Sequence, residues 1–581
     1  MCVSSPACLR EAKRAAGSLD NCAPRWAEAR LSKFGKTPHM NPTQTGSLAD
    51  SRESTPSLPV DSAEAVLSST QSRQFASFAG RVADFALIFL ALFALAWAVA
   101  RACLEAVTGD EGESYVMWVA DSGFSHWFPS PNNHVLNSLL EWLFTSIFGL
   151  SPFTVRIPTL LGAALYIGMS LWLTRLLTRD WLVRLPLFIC LVYNPFVFDY
   201  YVAARGYGLA LAFLLGAIAV PVWCHLELPN LPAALIAASA ISSLCLALCF
   251  SANFPFAFAG LATLLLLILW ALRQANQCEP SRWPGLKRRI LAAAILPGTA
   301  VVLLLPAWTL LHWQPGGLFD GGSSLRETIQ TSVQASLFQL NPQLANPLVY
   351  AVLDATKRFL IPTLCGLAIV QLILILIGFR RRRDERARKL LAVSALCFGA
   401  LVICLLAHQT AYLLFHLLMP RNRTALFVAP LVTLTIGAIA SVEARSRESR
   451  LSRGVLLGVL SLTALYFLLC LRLTYFKEWQ YQEDVNRGYD VVAWYNHNRA
   501  VENVEVSWYY YGAFRFYRAL SGHENFASFT NSGNSTHPLD KQLYVLNGVF
   551  ERQFIDAQKL KIVYHAPHSD LVVAVPPGGA N

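Results

Sequence analysis

The sequence has little charge for its length. Of its 581 residues, 14% are charged and 55% are hydrophobic, whereas about a quarter of the residues of a soluble globular protein are charged. Many apolar runs reach the roughly 20 residues that a helix needs to cross the hydrocarbon core of a bilayer. A single such run fits a signal sequence, but a long series of them does not. The composition therefore predicts a polytopic membrane protein.

The sequence also lacks a cysteine or histidine cluster with the spacing of a zinc site. Its 13 cysteines are scattered, and no Cys-x-x-Cys motif occurs, so most are expected to be small buried hydrophobic residues. The net charge of +11 does not indicate nucleic-acid binding, because the Lys and Arg residues cluster in short loops between apolar runs.

Hydropathy predicts eleven transmembrane helices. They cover about 82–103, 157–176, 184–201, 206–224, 232–250, 254–272, 290–311, 359–379, 390–411, 424–442 and 455–473. Residues 1–80 are rich in Ser, Ala, Pro and charge and are predicted to be a disordered cytoplasmic tail. Residues 81–473 then form the transmembrane domain. The apolar stretch 134–150 is too short and too polar for a full span.

Charge gives a test of this topology. The basic loops are at 175–184, 273–289, 380–389 and 445–453. With the N-terminus inside and 134–150 not crossing, all four lie on the cytoplasmic side, as the positive-inside rule requires. The same topology places 104–156, 312–358 and 474–581 outside.

The C-terminal segment 474–581 has the pattern of a small soluble α/β domain. Short β-rich runs occur at 504–508, 544–546, 561–564 and 571–575, and a helix is predicted near 511–520. Runs of this length, bounded by turn residues, are typical of strands. We therefore predict an extracytoplasmic α/β domain after the last span.

The first outer loop carries three carboxylates within four positions. It reads Thr-Gly-Asp-Glu-Gly-Glu-Ser-Tyr from Thr108 to Tyr115 and contains Asp110, Glu111 and Glu113. The low-dielectric edge of a membrane can raise the pKa of a carboxylate, which suits a general base. The alternative interpretation is an acidic, solvated start of a loop.

Further polar side chains are predicted at the same membrane surface. His134 opens the non-crossing helix, where it could bind an anion or cap the helix. Asp199 and Arg205 share a short outer loop, and a guanidinium there suits a lipid-linked phosphate; a salt bridge or contact with lipid headgroups is the alternative. Arg421 and Arg423 lie in another short outer loop, where positive charge predicts an anionic partner, either a lipid headgroup or a substrate.

Three motifs follow one another over about 82–225. They are Asp110-Glu111 after the first span, Asn133-His134-Val135-Leu136 with the later run 149–158 (Gly-Leu-Ser-Pro-Phe-Thr-Val-Arg-Ile-Pro), and Ala204-Arg205-Gly206-Tyr207-Gly208-Leu209. In this order they resemble the GT-C superfamily of integral-membrane glycosyltransferases. The similar branch is the bacterial one related to protein O-mannosyltransferases and the lipid A aminoarabinose transferase. Here Val-Leu replaces the Pro-Pro that follows the histidine in that branch, and the first loop has no Asp-x-Asp motif.

The resemblance implies a fold, an activity and a set of site residues. The fold is an all-α polytopic membrane protein with outer juxtamembrane helices and a small C-terminal α/β domain. The activity is transfer of a sugar, with inversion, from a polyprenyl-phosphate donor at the outer face of the cell membrane. Asp110 is the expected base and Glu111 a supporting or alternative catalytic carboxylate. The expected substrate-binding residues are Glu113, Tyr115, His134, Asp199, Arg205, Tyr207 and Arg421.

The remaining partners and the alternatives stay open at this point. The acceptor is a glycan, a lipid or a protein; membrane lipids are expected partners, nucleic acid is not, and a divalent cation is possible. A multi-pass transporter or flippase of lipid-linked envelope precursors is the alternative function, but it predicts ionisable residues within the spans, which here are largely free of charge. A non-catalytic protein of envelope assembly is the second alternative, and it would tolerate Asp110→Asn.

Overall fold

A computed structural model gives the fold of the chain. It describes residues 60–120, 124–228, 231–278, 284–313, 321–337, 346–348, 351–352, 366, 384–443, 447–522, 528–532 and 540–578. The site and the elements around it belong to one compact unit, Gln71–Asn581.

Helices make up most of the described chain. In chain order the main ones are α1 (Val60–Leu104), α2 (Gly109–Trp118), α3 (Val135–Phe148), α4 (Pro152–Leu177), α5 (Trp181–Val192), α6 (Pro195–Asp199), α7 (Tyr207–Glu227), α8 (Pro232–Ala252), α9 (Ala257–Ala275), α10 (Leu286–Leu304), α11 (Ala307–Leu311), α12 (Leu325–Ser336), α13 (Glu385–Phe415), α14 (Val428–Ala440), α15 (Arg447–Leu469), α16 (Val485–Arg499), α17 (Trp508–Ser521) and α18 (Arg552–Ala557).

Eight helical segments of the described chain are long and apolar enough to cross a membrane. They are Gly80–Leu104, Pro152–Leu177, Tyr207–Glu227, Pro232–Ala252, Phe254–Ala275, Glu385–Phe415, Asn422–Ala440 and Arg450–Leu469. Each coincides with one of the eleven predicted spans, so the multi-pass helical architecture is confirmed. Predicted span 359–379 lies outside the described residues.

Two predicted spans are wrong as single helices. The span 184–201 divides into α5 and α6, because the Asn194 side chain caps α6 and Pro195 opens it. A proline has no backbone N–H to continue the hydrogen-bond ladder of the preceding helix. The span 290–311 divides in the same way into α10 and α11 at Pro306. The apolar run continues through both breaks, so a hydropathy profile does not detect them.

The beginning of α1 corrects the predicted tail. This helix begins at Val60, so residues 60–80 of the predicted disordered segment 1–80 are helical, while 1–59 lie outside the described residues. Residues 60–80 contain no proline, and a helix extends readily once its first turn has formed. The polar composition of this segment therefore misled the prediction.

Helix α3 is shorter than a span. It has 14 residues, which at 1.5 Å per residue is about 21 Å, against roughly 30 Å of hydrocarbon core. The length agrees with the prediction that 134–150 does not cross the membrane.

A five-stranded sheet follows the last long helix. Its strands are β1 (Asn503–Ser507), β2 (Ser528–Ser532), β3 (Leu543–Asn547), β4 (Lys561–His565) and β5 (Leu571–Val575), in the order β2-β1-β3-β5-β4. β1 pairs in parallel with β2 and β3, and β5 pairs antiparallel with β3 and β4. The predicted strands and the predicted helix, now α17, are confirmed. β2 was missed because this edge strand reads Ser-Phe-Thr-Asn-Ser, with a single apolar residue.

Candidate active site

Asp110 and Glu111 lie in the first turn of α2. Thr108 caps this helix: its hydroxyl accepts from the Glu111 backbone N–H at 3.3 Å, and the Glu111 carboxylate accepts from the Thr108 N–H at 2.9 Å. This reciprocal capping box fixes where α2 begins. The side chains of successive helical residues point about 100° apart, so the Asp110 and Glu111 carboxylates contact different parts of the structure.

The Glu111 carboxylate is buried against Arg156 of α4. Nε and Nη2 of Arg156 donate to its two oxygens at 2.9 and 2.8 Å, and the Ala204 N–H donates to Oε1 at 2.9 Å. Burial alone raises the pKa of Glu111, but Arg156 and the backbone donors outweigh burial and hold the pKa below its ordinary value. Glu111 therefore joins α2 to α4 and to the loop before α7.

The Asp110 carboxylate points toward Arg423 instead. Its Oδ2 accepts from Nη1 of Arg423 at 2.6 Å, and the Asp110 side chain keeps 29% of its exposure. Arg205 donates to the Asp110 carbonyl oxygen at 3.2 Å. Burial alone raises the pKa of Asp110, but the charges of Arg423 and Arg205 outweigh it, so the pKa is lowered. The expectation of a raised pKa is therefore wrong: guanidinium groups dominate over the low-dielectric surroundings.

Asp110 faces a cavity of about 640 Å³. Its polar wall includes Glu113, Asn132, His134, Arg205, Tyr207, Arg423 and Gln482. Its apolar wall includes Phe250, Phe254, Phe258, Leu310, Trp313, Leu417 and Leu418. The cavity thus joins charged groups at the helix ends to an apolar surface among the membrane-spanning helices.

His134 and Arg205 present nitrogen atoms without partners beside this cavity. The His134 ring lies edge-on to Tyr207, with centroids 5.7 Å apart, and its side chain does not cap α3. Burial, followed by the charges of Arg205 and Arg423, holds the pKa of His134 well below its ordinary value, so the imidazole is neutral. His134 Nδ1 and Arg205 Nε are buried without a hydrogen-bond partner among the described residues, so each is able to bond a ligand.

The other expected site residues divide between this cavity and other contacts. Glu113 and Tyr207 line the cavity with His134 and Arg205. Asp199 instead accepts from two buried arginines, Arg101 at 2.9 Å and Arg472 at 2.6 Å, and is absent from the cavity wall. Arg421 is also absent from that wall.

Arg421 belongs to a surface ion pair. Its Nη1 lies 3.3 Å from Oε1 of Glu327, and both side chains are about a third exposed. The anionic partner that the sequence predicted for Arg421 is thus, in this structure, a carboxylate of the same chain. Arg423, two residues further, is the cation of this loop that reaches Asp110.

Helix α2 crosses α17 of the C-terminal domain at glycines. A Cβ atom on Gly112 would lie 2.4 Å from the Gly512 carbonyl oxygen, and one on Gly512 would lie 2.1 Å from the Gly109 carbonyl oxygen. Tyr115, the remaining predicted substrate-binding residue, packs edge-on against Phe516 at 5.6 Å. The C-terminal domain therefore lies directly against the helix that carries Asp110.

Gln482 completes this contact and brings the domain to the cavity. Its side chain accepts from the Gly109 N–H at 2.7 Å and donates to the Tyr509 carbonyl oxygen at 2.6 Å. The cavity wall continues from Gln482 onto Tyr481, Trp508 and Tyr509. The C-terminal domain thus forms one side of the site.

The described residues offer a divalent cation no ready site. Among them, no three His, Cys, Asp or Glu side chains come close enough to hold a metal ion. Asp110 is already paired with Arg423, and Glu111 with Arg156. The site's own positive charge comes from arginines.

Comparison with known proteins finds similarity among solved structures. No family model and no curated protein matches the chain. ArnT from Cupriavidus metallidurans bound to undecaprenyl phosphate is 14% identical, with a TM-score of 0.45, over 84% of this chain and 97% of that one. ArnT in the apo state is 12% identical, with a TM-score of 0.34, over 86% and 98%. The apo Archaeoglobus fulgidus oligosaccharyltransferase is 14% identical, with a TM-score of 0.34, over 73% of this chain and 63% of that one.

Two parts of the site were missed from the sequence. Arg423 belongs to a loop whose two cations were both noticed, but sequence does not show which of Arg421 and Arg423 turns toward Asp110. The wall formed by Gln482 and α17 was missed because it depends on how a separate domain docks. The glycines at 112 and 512 were the available hint, since glycine permits close approach of two backbones.

Proposed function

We propose that the chain is a membrane glycosyltransferase that moves a sugar from a polyprenyl-phosphate donor to an acceptor hydroxyl, with Asp110 as the base. The observation that carries this proposal is the composition of one cavity. A carboxylate and two guanidinium groups, Asp110, Arg205 and Arg423, share it with an apolar wall among the membrane-spanning helices. A polyprenyl-phosphate sugar has the same division between charged head and apolar tail.

The two ends of the cavity match the two ends of such a donor. The rings of Phe250, Phe254 and Phe258 provide the apolar surface for the first isoprene units. Arg205 and Arg423 stand where the phosphate would enter, and an arginine side chain presents several donors to phosphate oxygens. A guanidinium group has five N–H donors, so Arg423 can bond the phosphate while it keeps its bond to Asp110.

The reaction follows from these positions. The acceptor hydroxyl attacks the anomeric carbon from the face opposite the phosphate, and the carbon–oxygen bond to the phosphate breaks, which inverts the configuration. The hydroxyl proton passes to Asp110, which its lowered pKa keeps ionised. The leaving polyprenyl phosphate keeps the bonding electron pair, and Arg205 and Arg423 stabilise its charge. The donor enters from the outer leaflet of the cell membrane in this proposal.

The test uses the full chain in nanodiscs. Transfer from a panel of radiolabelled polyprenyl-phosphate sugars to glycan, lipid and peptide acceptors is compared between the wild type and Asp110→Asn. Because a positioned base contributes about 10²–10⁴-fold, we expect Asp110→Asn to lose at least about a hundredfold in transfer while still binding the donor. Equal transfer by both proteins contradicts the assignment of Asp110.

Asp180→Asn is the matched control. Asp180 forms an ion pair with Arg453, and those side chains are 30% and 24% exposed, close to the 29% and 20% of Asp110 and Arg423. The Asp180 pair is absent from the cavity wall. We expect Asp180→Asn to transfer at the wild-type rate, so a loss shared by both variants reports damage to the fold rather than to catalysis.

A further inference from the structure

The C-terminal domain presents a set of neighbouring aromatic rings, most of which line the cavity. This aromatic ledge consists of Tyr481, Trp508, Tyr509 and Phe550. The centroid distances are 4.1 Å between Trp508 and Tyr509, 5.2 Å between Tyr509 and Phe550, and 5.3 Å between Tyr481 and Tyr509. The rings form one continuous surface.

Much of this surface is open. Trp508 is 57% exposed and Phe550 is 59% exposed, although aromatic side chains of this size are usually covered in a folded domain. Trp508, Tyr509 and Tyr481 also line the cavity. The ledge is therefore continuous with the space in front of Asp110 and does not belong to a separate surface of the domain.

The ledge is held close to the proposed base. The backbone carbonyl oxygen of Tyr509 lies 3.2 Å from the position of a Cβ atom on Gly109, the residue before Asp110. Gln482 bonds to both Gly109 and Tyr509. A molecule that rests on the ledge thus has its near end at Asp110.

We propose that the aromatic ledge is the acceptor site and that it holds a neutral oligosaccharide; this rests on the proposed function. The face of a pyranose ring carries C–H groups, which pack on the electron-rich face of an aromatic ring. The hydroxyl groups around its edge need neutral hydrogen-bonding groups, and the phenols of the ledge and the amide of Asn531, which lines the same cavity, supply them. The ledge itself contains no charged side chain, which disfavours an anionic acceptor.

The test measures binding of three neutral probes: cellopentaose, maltopentaose and the pentamer of N-acetylglucosamine. Titrations with the full chain in nanodiscs compare the wild type, Trp508→Ala and Trp494→Ala. Trp494 is the matched control, since it lies on α16 of the same domain, is 51% exposed and is absent from the cavity wall. Trp508→Ala removes both apolar contact area and the electron-rich ring face on which a pyranose packs, so it should weaken binding about tenfold or more, whereas Trp494→Ala should leave binding unchanged.

Three results would overturn the acceptor assignment. They are no binding of any of the probes, binding that Trp508→Ala leaves unchanged, and Trp508-dependent binding of a Ser/Thr-rich peptide without binding of any probe. Oligosaccharide binding needs no donor, so the probes should bind the wild type in nanodiscs that contain no polyprenyl phosphate. If transfer is absent from the wild type while Trp508-dependent binding persists, the proposed reaction fails and the oligosaccharide site remains.

Discussion

At the residue scale, two adjacent carboxylates have opposite surroundings. Glu111 is fully buried with both oxygens bonded to Arg156, whereas Asp110 borders the cavity and shares Arg423. The difference follows from the turn of about 100° between successive helical residues. We therefore assign Glu111 to positioning the helix and Asp110 to chemistry.

Glu111→Gln should destabilise the protein. The substitution leaves the Arg156 guanidinium buried without its counter-charge, and removing one partner of a buried ion pair costs roughly 3–5 kcal/mol. We expect a lower midpoint of thermal unfolding in detergent micelles, measured by intrinsic fluorescence. Glu113 is an exposed carboxylate two positions further along α2, so Glu113→Gln should leave the midpoint unchanged. Equal midpoints for the two variants would contradict the positioning role of Glu111.

Arg423→Gln should change the pH dependence of transfer. In the proposed reaction Asp110 acts as a base when it is ionised, and the charge of Arg423 lowers the pKa of Asp110 more than the charge of Arg205 does. Without Arg423 the pKa of Asp110 rises, so the acid limb of the rate against pH moves to higher pH. Rates measured from acid to neutral pH test this shift. Arg453→Gln breaks the remote ion pair with Asp180 and should leave the acid limb at the wild-type pH. If the acid limb of Arg423→Gln also stays at the wild-type pH, Asp110 is not the group whose ionisation controls the rate.

The residue types of the site were readable from sequence, but their pairings were not. Asp110, His134, Arg205 and Tyr207 were selected from motifs, and all four line one cavity. Asp199 was selected with them, yet it lies between Arg101 and Arg472. A motif predicts which side chains lie near the membrane surface. The hydrogen-bond or ion-pair partner of each side chain depends on distant parts of the chain.

At the element scale, the crossing of α2 and α17 connects the C-terminal domain to the site. Gly112 and Gly512 allow the two backbones to approach more closely than any side chain permits. The crossing therefore holds together the two helices that carry Asp110 and Trp508, which both line the cavity.

Gly512→Ala should disturb this crossing. Its Cβ atom would lie 2.1 Å from a backbone oxygen, so the helices must separate. We expect faster cleavage between the transmembrane helices and the C-terminal domain in limited proteolysis, together with weaker transfer. Gly168→Ala is the control, because no atom beyond the neighbouring turns of its own helix lies within 4 Å of its Cβ position. Identical proteolysis of the two variants would show that the crossing tolerates a methyl group.

Helix breaks show why sequence alone miscounted the elements. A hydropathy profile averages over a window of residues, so it predicted α5 and α6 as one span. The break at Asn194 depends on one side-chain hydrogen bond to the Phe196 N–H, which leaves the mean hydropathy of the window unchanged. The eight uninterrupted spans were predictable because length and apolar composition are sufficient to define them.

At the scale of the whole molecule, the basic loop residues and the C-terminal domain are predicted on opposite sides of the membrane. Arg175 and Arg184 pair with Asp84 near one end of the helices. The positive-inside rule places such basic groups in the cytoplasm. We therefore predict that the cavity and the sheet domain lie on the outer side of the membrane.

Cysteine labelling in intact cells tests this orientation. Lys287 lies at the basic start of α10 and Lys559 in the C-terminal domain, and both are exposed. A membrane-impermeant maleimide should label Lys559→Cys directly and Lys287→Cys only after the membrane is permeabilised. The wild type gives the background from the native cysteines. Labelling of Lys287→Cys before permeabilisation and of Lys559→Cys only afterwards would show the opposite topology, with the cavity on the cytoplasmic side.

The sequence by itself determined the multi-pass helical class, most of the spans and strands, and the residue types at the site. These features depend on local hydropathy, charge and short motifs. The tertiary structure decided that Asp110 pairs with Arg423, 313 residues away, and that the C-terminal domain forms one side of the cavity. Such contacts depend on how separate helices and a separate domain pack, and no local pattern encodes that packing.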